Sequence, residues 1–243
     1  MAQSLPRLFV SPPIGEGRNI EISTSQSHYL LHVLRLSAGK QVLVFDTENG
    51  EWLTEIVEAK RSSLVLRPIE RVRAQTQPQD LHYLFAPLKQ ARLDYMVQKA
   101  VELGVSALQP VITAYTDVSR LNPERMRANA IEAAEQCGLL SLPEIRPAVK
   151  LQQMLKLWPH DRAIIFCDEH APQAPALPTL HSVTQAEIAV LIGPEGGFSP
   201  AERDTLLSRE FVYGISLGPR VMRADTAAVA ALTLINAVLG DWR

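Results

Sequence analysis

Cysteine is almost missing: Cys137 and Cys167 are the two in 243 residues. That excludes a disulfide-stapled scaffold and a zinc site built on cysteine pairs. With no oxidising signature, the expected compartment is a reducing cytoplasm. No sign of charge dominates either. Twenty-four Lys and Arg stand against 26 Asp and Glu, a net −2, which rules out a uniformly basic coat for nucleic acid but leaves a local basic face open. Long apolar runs are lacking too. The stretch Thr226 to Leu239 is interrupted by Thr233 and Asn236 and is too short to span a bilayer. Residues 1–17 (MAQSLPRLFVSPPIGEG) have no apolar core flanked by basic residues, so no signal peptide and no membrane partner are expected. The histidines offer a single i, i+4 pair, His28 and His32, with no acidic ligand near it, and no metal is expected. There is no CxxC and no G-x-S-x-G elbow. What is present is 47% hydrophobic residues at a mean hydropathy of +0.01, the profile of one or two ordinary globular domains.

The first seventy-odd residues read as short strands: Leu8 to Val10, Gln41 to Phe45, Trp52 to Val57 and Ser63 to Leu66. Thr47-Glu48-Asn49-Gly50 carries an Asn-Gly hairpin signal. His28 to Leu34 (HYLLHVL) reads as one short helix among them, giving the pattern of a small β-barrel. The polar stretch Arg71 to Asp80 has no apolar periodicity and reads as a linker. The expected domains are a barrel over 1–73, a linker over 74–80 and a second domain over 81–243. In the latter, strands at Leu81 to Ala86, Ala107 to Ile112, Ala163 to Phe166, Ile188 to Ile192 and Ile215 to Leu217 alternate with helices. The helices are Arg92 to Leu103, one opened by Asn122-Pro123, Ser199 to Leu207 and Thr226 to Leu239. Such alternation predicts an α/β domain with a mostly parallel sheet covered on both faces. Ala171 to Pro178 reads as an extended Pro-rich loop.

Four stretches could carry chemistry. Ile192-Gly193-Pro194-Glu195-Gly196-Gly197-Phe198-Ser199-Pro200-Ala201-Glu202 leaves an apolar strand and enters a helix, with Ser199, Pro200 and Glu202 spaced as a capping box. Its glycines permit unusual backbone angles and close approach by a ligand, although a tight turn without a ligand has the same features. The spacing is neither that of a dinucleotide loop nor that of a P-loop. Leu217-Gly218-Pro219-Arg220-Val221-Met222-Arg223-Ala224-Asp225-Thr226-Ala227 repeats the theme with two Arg and one Asp, where Asp225 could equally be a cap and the arginines solvated. Leu88-Lys89-Gln90-Ala91-Arg92 sets two cations at i, i+3, and Glu132-Ala133-Ala134-Glu135-Gln136-Cys137-Gly138 suggests a tightly packed helix.

These stretches, with Pro6-Arg7-Leu8-Phe9-Val10, HYLLHVLRLSAGKQVLVFD and KAVELGV, resemble in order the 16S rRNA uridine-N3 methyltransferases, family E of the small-subunit rRNA methyltransferases, in the SPOUT superfamily. The resemblance implies a SPOUT-type trefoil-knotted parallel sheet with an N-terminal PUA-like β-barrel. It implies S-adenosylmethionine as cofactor, a homodimer, and methylation of N3 of uracil 1498 of 16S rRNA in the small ribosomal subunit. Carried onto matching positions, cofactor contact falls on Leu191, Ile192, Gly193, Glu195, Gly196 and Gly197, and on Leu217, Gly218, Arg220, Val221 and Met222. Arg223 would stabilise the uracil anion, with Asp225 orienting it or accepting the proton. Two positions depart from the family pattern. Asp225 stands where Glu is usual, one methylene shorter, and Leu139 stands where an Arg commonly follows Glu-Gln-Cys-Gly.

Phosphate contacts are expected from Arg7, Arg35, Lys60, Arg61, Lys89 and Arg92. Residues 1–73 hold nine basic and eight acidic side chains and residues 74–243 hold fifteen and eighteen, so the expected RNA surface is a localised groove rather than a basic domain. Other readings of the sequence are a SPOUT enzyme acting on another RNA or on a ribose 2′-hydroxyl, a non-catalytic RNA-binding assembly factor, and a Rossmann-like dehydrogenase, the last disfavoured by the loop spacing.

Overall fold

The computed structural model describes residues 5–11, 13–60, 63–117, 120–170 and 174–242. The chain forms two compact units, Met1–Gln77 with Ala134–Leu142, and Pro78–Ala133 with Pro143–Arg243. The second segment of the first unit lies inside the stretch expected to be one contiguous domain.

The first unit contains β1 (Arg7–Phe9), β2 (Ile20–Glu21), α1 (Thr24–His28), β3 (Gln41–Asp46), β4 (Gly50–Lys60) and β5 (Ser63–Arg73). The sheet order is β1-β3-β4-β5-β2, with β1 parallel to β3 and the other pairs antiparallel. Register shifts along β4 and β5 curl this sheet around Leu8, Val44, Ile56, Leu64 and Leu66. The Asn-Gly turn forms because Asp46 accepts from the backbone N–H of Glu48 (2.9 Å) and Asn49 (2.6 Å), while Gly50 takes φ +82°. Burial pushes the Asp46 carboxyl up, but these bonds, with those from the Asn49 side chain and Ile14, hold it below its ordinary value.

Three local expectations shift here. The helix begins earlier, capped by Ser23 with Gln26 in a capping box, and passes into a π-helical turn over Tyr29–Val33. Strand β4 exceeds its apolar centre at both ends. Strand β5 continues to Arg73, so Arg71 to Arg73 of the polar stretch are strand, because backbone pairing with β4 does not need an apolar side chain.

Residues 134–142 join this unit through Arg7. Its guanidinium donates to the carbonyls of Ala134, Glu135 and Leu139, pairs with Glu51 and stacks 3.8 Å from the Phe45 ring centroid. The Glu135 carboxylate accepts from the Phe9 N–H at 2.9 Å, and Arg73 donates to the Gly138 carbonyl at 2.6 Å.

The second unit runs β6 (Leu81–Phe85), α2 (Gln90–Glu102), β7 (Ala107–Ile112), α3 (Pro123–Cys137), whose last turn belongs to the first unit, β8 (Glu144–Ile145), β9 (Val149–Lys150), α4 (Leu151–Lys156), β10 (Arg162–Cys167), α5 (Ala176–His181), β11 (Glu187–Ile192), α6 (Pro200–Leu207), β12 (Val212–Ile215) and α7 (Ala224–Val238). The sheet order is β12-β10-β11-β6-β7-β8, with β9 also on β7, and every pair is parallel. Alternate residues serve opposite faces. Leu84, Ile164, Phe166, Ala189 and Leu191 pack with Leu151, Met154 and Leu206 of α4 and α6. On the other face the Tyr83 hydroxyl donates to the Met96 sulfur of α2 at 3.1 Å. Burial raises that phenol well above its ordinary value.

Strand β12 ends where Ile215 to Leu217 was expected to begin. Gly214 lies inside it, because a Cβ there would stand 3.1 Å from Leu207 of α6. Part of the Pro-rich loop is helix α5: Pro178 occupies the first turn, where no intrahelical N–H is needed. Pro175, before the helix, bridges Ser216 in parallel, and residues 171–173 lie outside the described residues.

Candidate functional site

The C-terminal ends of β10, β11 and β12 lie side by side, and the loops leaving them enclose a cavity of about 250 Å³. From β10 the chain steps to its neighbour β11 and then back across β10 to β12. Ligands of open α/β sheets bind at such reversals, beyond the carboxyl ends of the strands.

The β11 loop is shaped by packing and capping. Ser199 caps α6, accepting from the Glu202 N–H at 3.3 Å, while the Glu202 carboxylate accepts from the Ser199 N–H at 3.0 Å. The other oxygen of Glu202 accepts from the Ala114 N–H at 2.8 Å, tying the loop after β7 to this corner. Phe198 lies edge-on to Phe166 with centroids 5.0 Å apart, and a Cβ at Gly193 would come within 2.5 Å of that Phe198 ring. A Cβ at Gly197 would collide with the Glu169 carboxylate, and its φ of +68° adds to the demand for glycine.

Of the residues expected to touch a cofactor, Ile192, Gly193, Glu195 and Gly197 from the β11 loop line the cavity. So do Leu217, Gly218, Arg220, Val221 and Met222 from the β12 loop. Two expected positions are elsewhere. Leu191 is fully buried in the apolar cluster on the α4 and α6 face. Gly196 faces Tyr115, whose Cβ would be 3.2 Å from a Cβ placed there.

Arg223 lies on the cavity wall and is the residue before α7, extended at φ −66° and ψ 150°. Helix α7 therefore starts two residues earlier than expected, and neither Asp225 nor Thr226 caps it. Asp225 sits in the first turn outside the lining residues, accepting from the Thr226 N–H at 3.0 Å. Among the described residues, no carboxylate lies within ion-pair distance of Arg220 or Arg223.

The expected phosphate contacts divide. Arg7 is held inside the first unit, its side chain 11% exposed, with its donors directed at Glu51 and three carbonyls, so it holds residues 134–142. Arg35 is exposed in the left-handed region at φ 54°. Lys60 is exposed beside Glu58 at 2.8 Å, which raises its ammonium above the usual value. Arg61 lies outside the described residues. Lys89 is exposed before α2, and Arg92 pairs with Glu195 of the cavity wall at 2.7 Å.

The β10 loop escaped notice in the sequence. Cys167, Asp168, Glu169 and His170 line the cavity, with Arg203 from α6. Asp168 donates its N–H to the Ile215 carbonyl at 2.9 Å and accepts from Arg203 at 2.8 Å, bracing β10 against β12 and α6. Burial pushes the Cys167 thiol up to about 12, so it is not a thiolate nucleophile. The one available signal was a run of polar residues straight after an apolar strand. Among the described residues no group of three or more His, Cys, Asp or Glu is placed to hold a metal, and no helix is long and apolar enough to cross a membrane.

The second unit is a parallel α/β sheet with a lined crevice at its carboxyl edge, and the first is a curled mixed sheet. The RNA methyltransferase domain model matches residues 75–236 and the RNA methyltransferase PUA domain model matches residues 22–69. The chain belongs to the RNA methyltransferase domain family, with an RNA methyltransferase PUA domain in its first seventy residues. The ribosomal RNA small subunit methyltransferase E of Rickettsia conorii is 29% identical over 232 residues, spanning 95% of this chain and 94% of that one. The Bacillus subtilis protein of the same name is 26% identical, spanning 92% and 91%. A Legionella pneumophila protein solved with the cofactor SAM bound superposes at a TM-score of 0.84, 28% identical, covering 97% and 98% of the two chains. Ribosomal RNA small subunit methyltransferase E of Neisseria gonorrhoeae superposes at 0.87 with 22% identity, covering 99% and 100%, a likeness of fold.

Proposed function

We propose that this protein uses S-adenosylmethionine to methylate N3 of a uracil in 16S rRNA of the small ribosomal subunit, at the position numbered 1498. The observation that carries this reading is the cavity at the ends of β10, β11 and β12, walled by both glycine-rich motifs and by Arg223. It is supported by the names of the similar proteins and by the cofactor in the Legionella structure.

The residues present fit the cofactor. Ile192, Phe198, Leu217 and Met222 supply apolar wall for a flat base. Gly193 and Gly197 lie where a side chain would fill or distort the space, leaving backbone edges to read it. Glu169 and Glu195 offer carboxylates to a cationic ligand. Leu191 would contribute through its backbone alone. When bound, S-adenosylmethionine supplies an electrophilic methyl group.

Uracil N3 carries a proton and is a poor nucleophile until that proton leaves. Arg223, charged and without an ion-pair partner among the described residues, is placed to stabilise the anion that develops at the uracil ring. The expected orienting contact from Asp225 to Arg223 is not formed in this structure; Asp225, two residues on in the first turn of α7, is left to accept the N3 proton through its second carboxylate oxygen. The loops hold the target in line for displacement, which contributes several kcal/mol of the barrier. The base is presented single-stranded or flipped out of its stack. Arg35, Lys60, Lys89 and Arg92 position phosphates. The reading also includes a trefoil knot near the C-terminus, a homodimer that completes each site, and action in the cytoplasm, where ribosomes are assembled.

Mass-spectrometric mapping of rRNA from cells lacking the protein tests this. Loss of N3-methyluridine from 16S rRNA supports it, and an unchanged modification overturns it. A missing ribose methyl instead would identify a 2′-hydroxyl methyltransferase. Raising salt from about 50 to 200 mM should weaken RNA binding by an order of magnitude or more, and flat affinity would remove the phosphate contacts from the reading.

A further inference from the structure

Two side chains from distant elements sit on consecutive residues of the β11 loop. Arg92 of α2 donates to Glu195 at 2.7 Å, and Tyr115 packs on Gly196. Glu195 lines the cavity and Gly196 does not, so the pair marks the loop at the cavity rim. Tyr115 is 49% exposed, so its ring is open to a ligand from outside.

The segment carrying Tyr115 is braced on both sides of the ring. The Thr113 N–H donates to the Thr116 hydroxyl at 2.9 Å, and the two threonine hydroxyls meet at 2.9 Å. Between them, the Ala114 N–H donates to the buried Glu202 carboxylate at 2.8 Å. The same carboxylate closes the capping box of α6 and so fixes the far end of the β11 loop. Gly196 completes the seat: a Cβ there would approach Tyr115 Cβ at 3.2 Å and Cγ at 3.7 Å, so the ring lies close against the loop backbone. An exposed aromatic held this firmly has little conformational entropy left to lose when something flat lands on it.

We propose that Tyr115 and Arg92 form a nucleotide platform outside the cavity rim, Tyr115 stacking a base of single-stranded RNA next to the target and Arg92 holding the adjoining phosphate. The proposal rests on the reading of the protein as an RNA methyltransferase and adds a subsite to it. Aromatic stacking is tolerant of base identity, because every base has a π-face. Tyr115 therefore contributes affinity and placement of the strand, while choice of the target stays with the cavity. Arg92 keeps its charge beside Glu195 and still has donors for an anion.

The experiment compares Tyr115→Ala and Tyr115→Phe in the full-length protein. The probe is a fluorescent single-stranded uridine-containing oligoribonucleotide, followed by methyl transfer to small ribosomal subunits. The Ala variant should bind the oligonucleotide about tenfold or more weakly and raise KM for subunits by a similar factor, with kcat within about twofold. The Phe variant should match the unaltered protein. Calorimetry with S-adenosylmethionine and the unfolding midpoint check that the cavity and fold are intact in both. Equal binding by the Ala variant and the unaltered protein overturns the platform, as does a Phe variant as weak as Ala, or an unaltered protein that does not bind the probe. If the oligonucleotide data hold but no subunit is methylated, the platform stands and the proposed reaction fails.

Discussion

The two ends of the parallel sheet differ in the charges they leave without a partner. At the amino end, Arg162 opens β10 with its side chain 9% exposed and pairs with Asp80 at 2.8 Å and Glu187 at 2.7 Å. His82 Nε2 lies 3.1 Å from the Asp80 carboxylate, and its Nδ1 faces Arg146 at 3.4 Å. At the carboxyl end, Arg220 and Arg223 face a cavity with no carboxylate in ion-pair reach among the described residues. A buried charge whose hydrogen-bonding atoms are taken up by its own fold contributes to stability and is unavailable to a ligand. An unmatched one is available, and the fold gains nothing from it. Substitutions at the two ends should therefore separate activity from stability.

The largest effect is expected at the carboxyl end. Arg223→Ala should lower methyl transfer by roughly 100- to 1,000-fold, the range for losing one donor to a developing anion. S-adenosylmethionine binding by calorimetry and the unfolding midpoint should barely move. Near-normal turnover would remove Arg223 from the chemistry.

Next comes acid titration of the amino end. Burial, with Arg162 and Arg146 nearby, lowers His82 from 6.5 to about 4. Between these values the unfolded chain binds a proton that folded His82 refuses, so stability falls as pH drops, by on the order of 2–3 kcal/mol. Hydrogen bonds from Arg162 hold the Asp80 carboxyl below its ordinary 3.8, so its contribution is present above that value and is lost as pH falls through the lower folded value. Urea unfolding from pH 7 to 4 should show the slope, and His82→Leu should flatten it.

Arg162→Ala should cost about 2 kcal/mol in urea unfolding. That is less than for a fully buried pair, because both carboxylates remain partly solvated. Its turnover should stay within about twofold; a large loss of activity would join the two ends. The smallest effect is at Cys167. Although it lines the cavity, the thiol should resist iodoacetamide at pH 7.5 in the folded protein, and rapid alkylation would mean that burial is weaker than the structure indicates.

Much of the site's local frame was legible in the sequence. Ser199, Pro200 and Glu202 form the capping box their spacing announces, Asn122 accepts from the Arg125 N–H as an N-cap should, and Asn49-Gly50 turns a hairpin. The two glycine-rich strand ends do reach one cavity. Other features had no local signature. Two-residue strands β8 and β9 exist because β7 offers them partners, and the lining from Cys167 to His170 depends on β10 lying between β12 and β11. Arg7, expected at a phosphate, instead directs its donors at carbonyls from 134–139, more than a hundred residues away, and spacing along the chain gave no sign of that.

The sequence by itself determined the caps, the hairpin, the α/β rhythm and the motifs of the methyltransferase family. Each of these depends on torsions and hydrogen bonds within a few residues. Only the tertiary structure decided which arginines have carboxylate partners and which have none among the described residues, and that Gly196 faces Tyr115. Those outcomes depend on which backbone and carboxylate groups the strand order brings together, and no spacing along the chain encodes that distance.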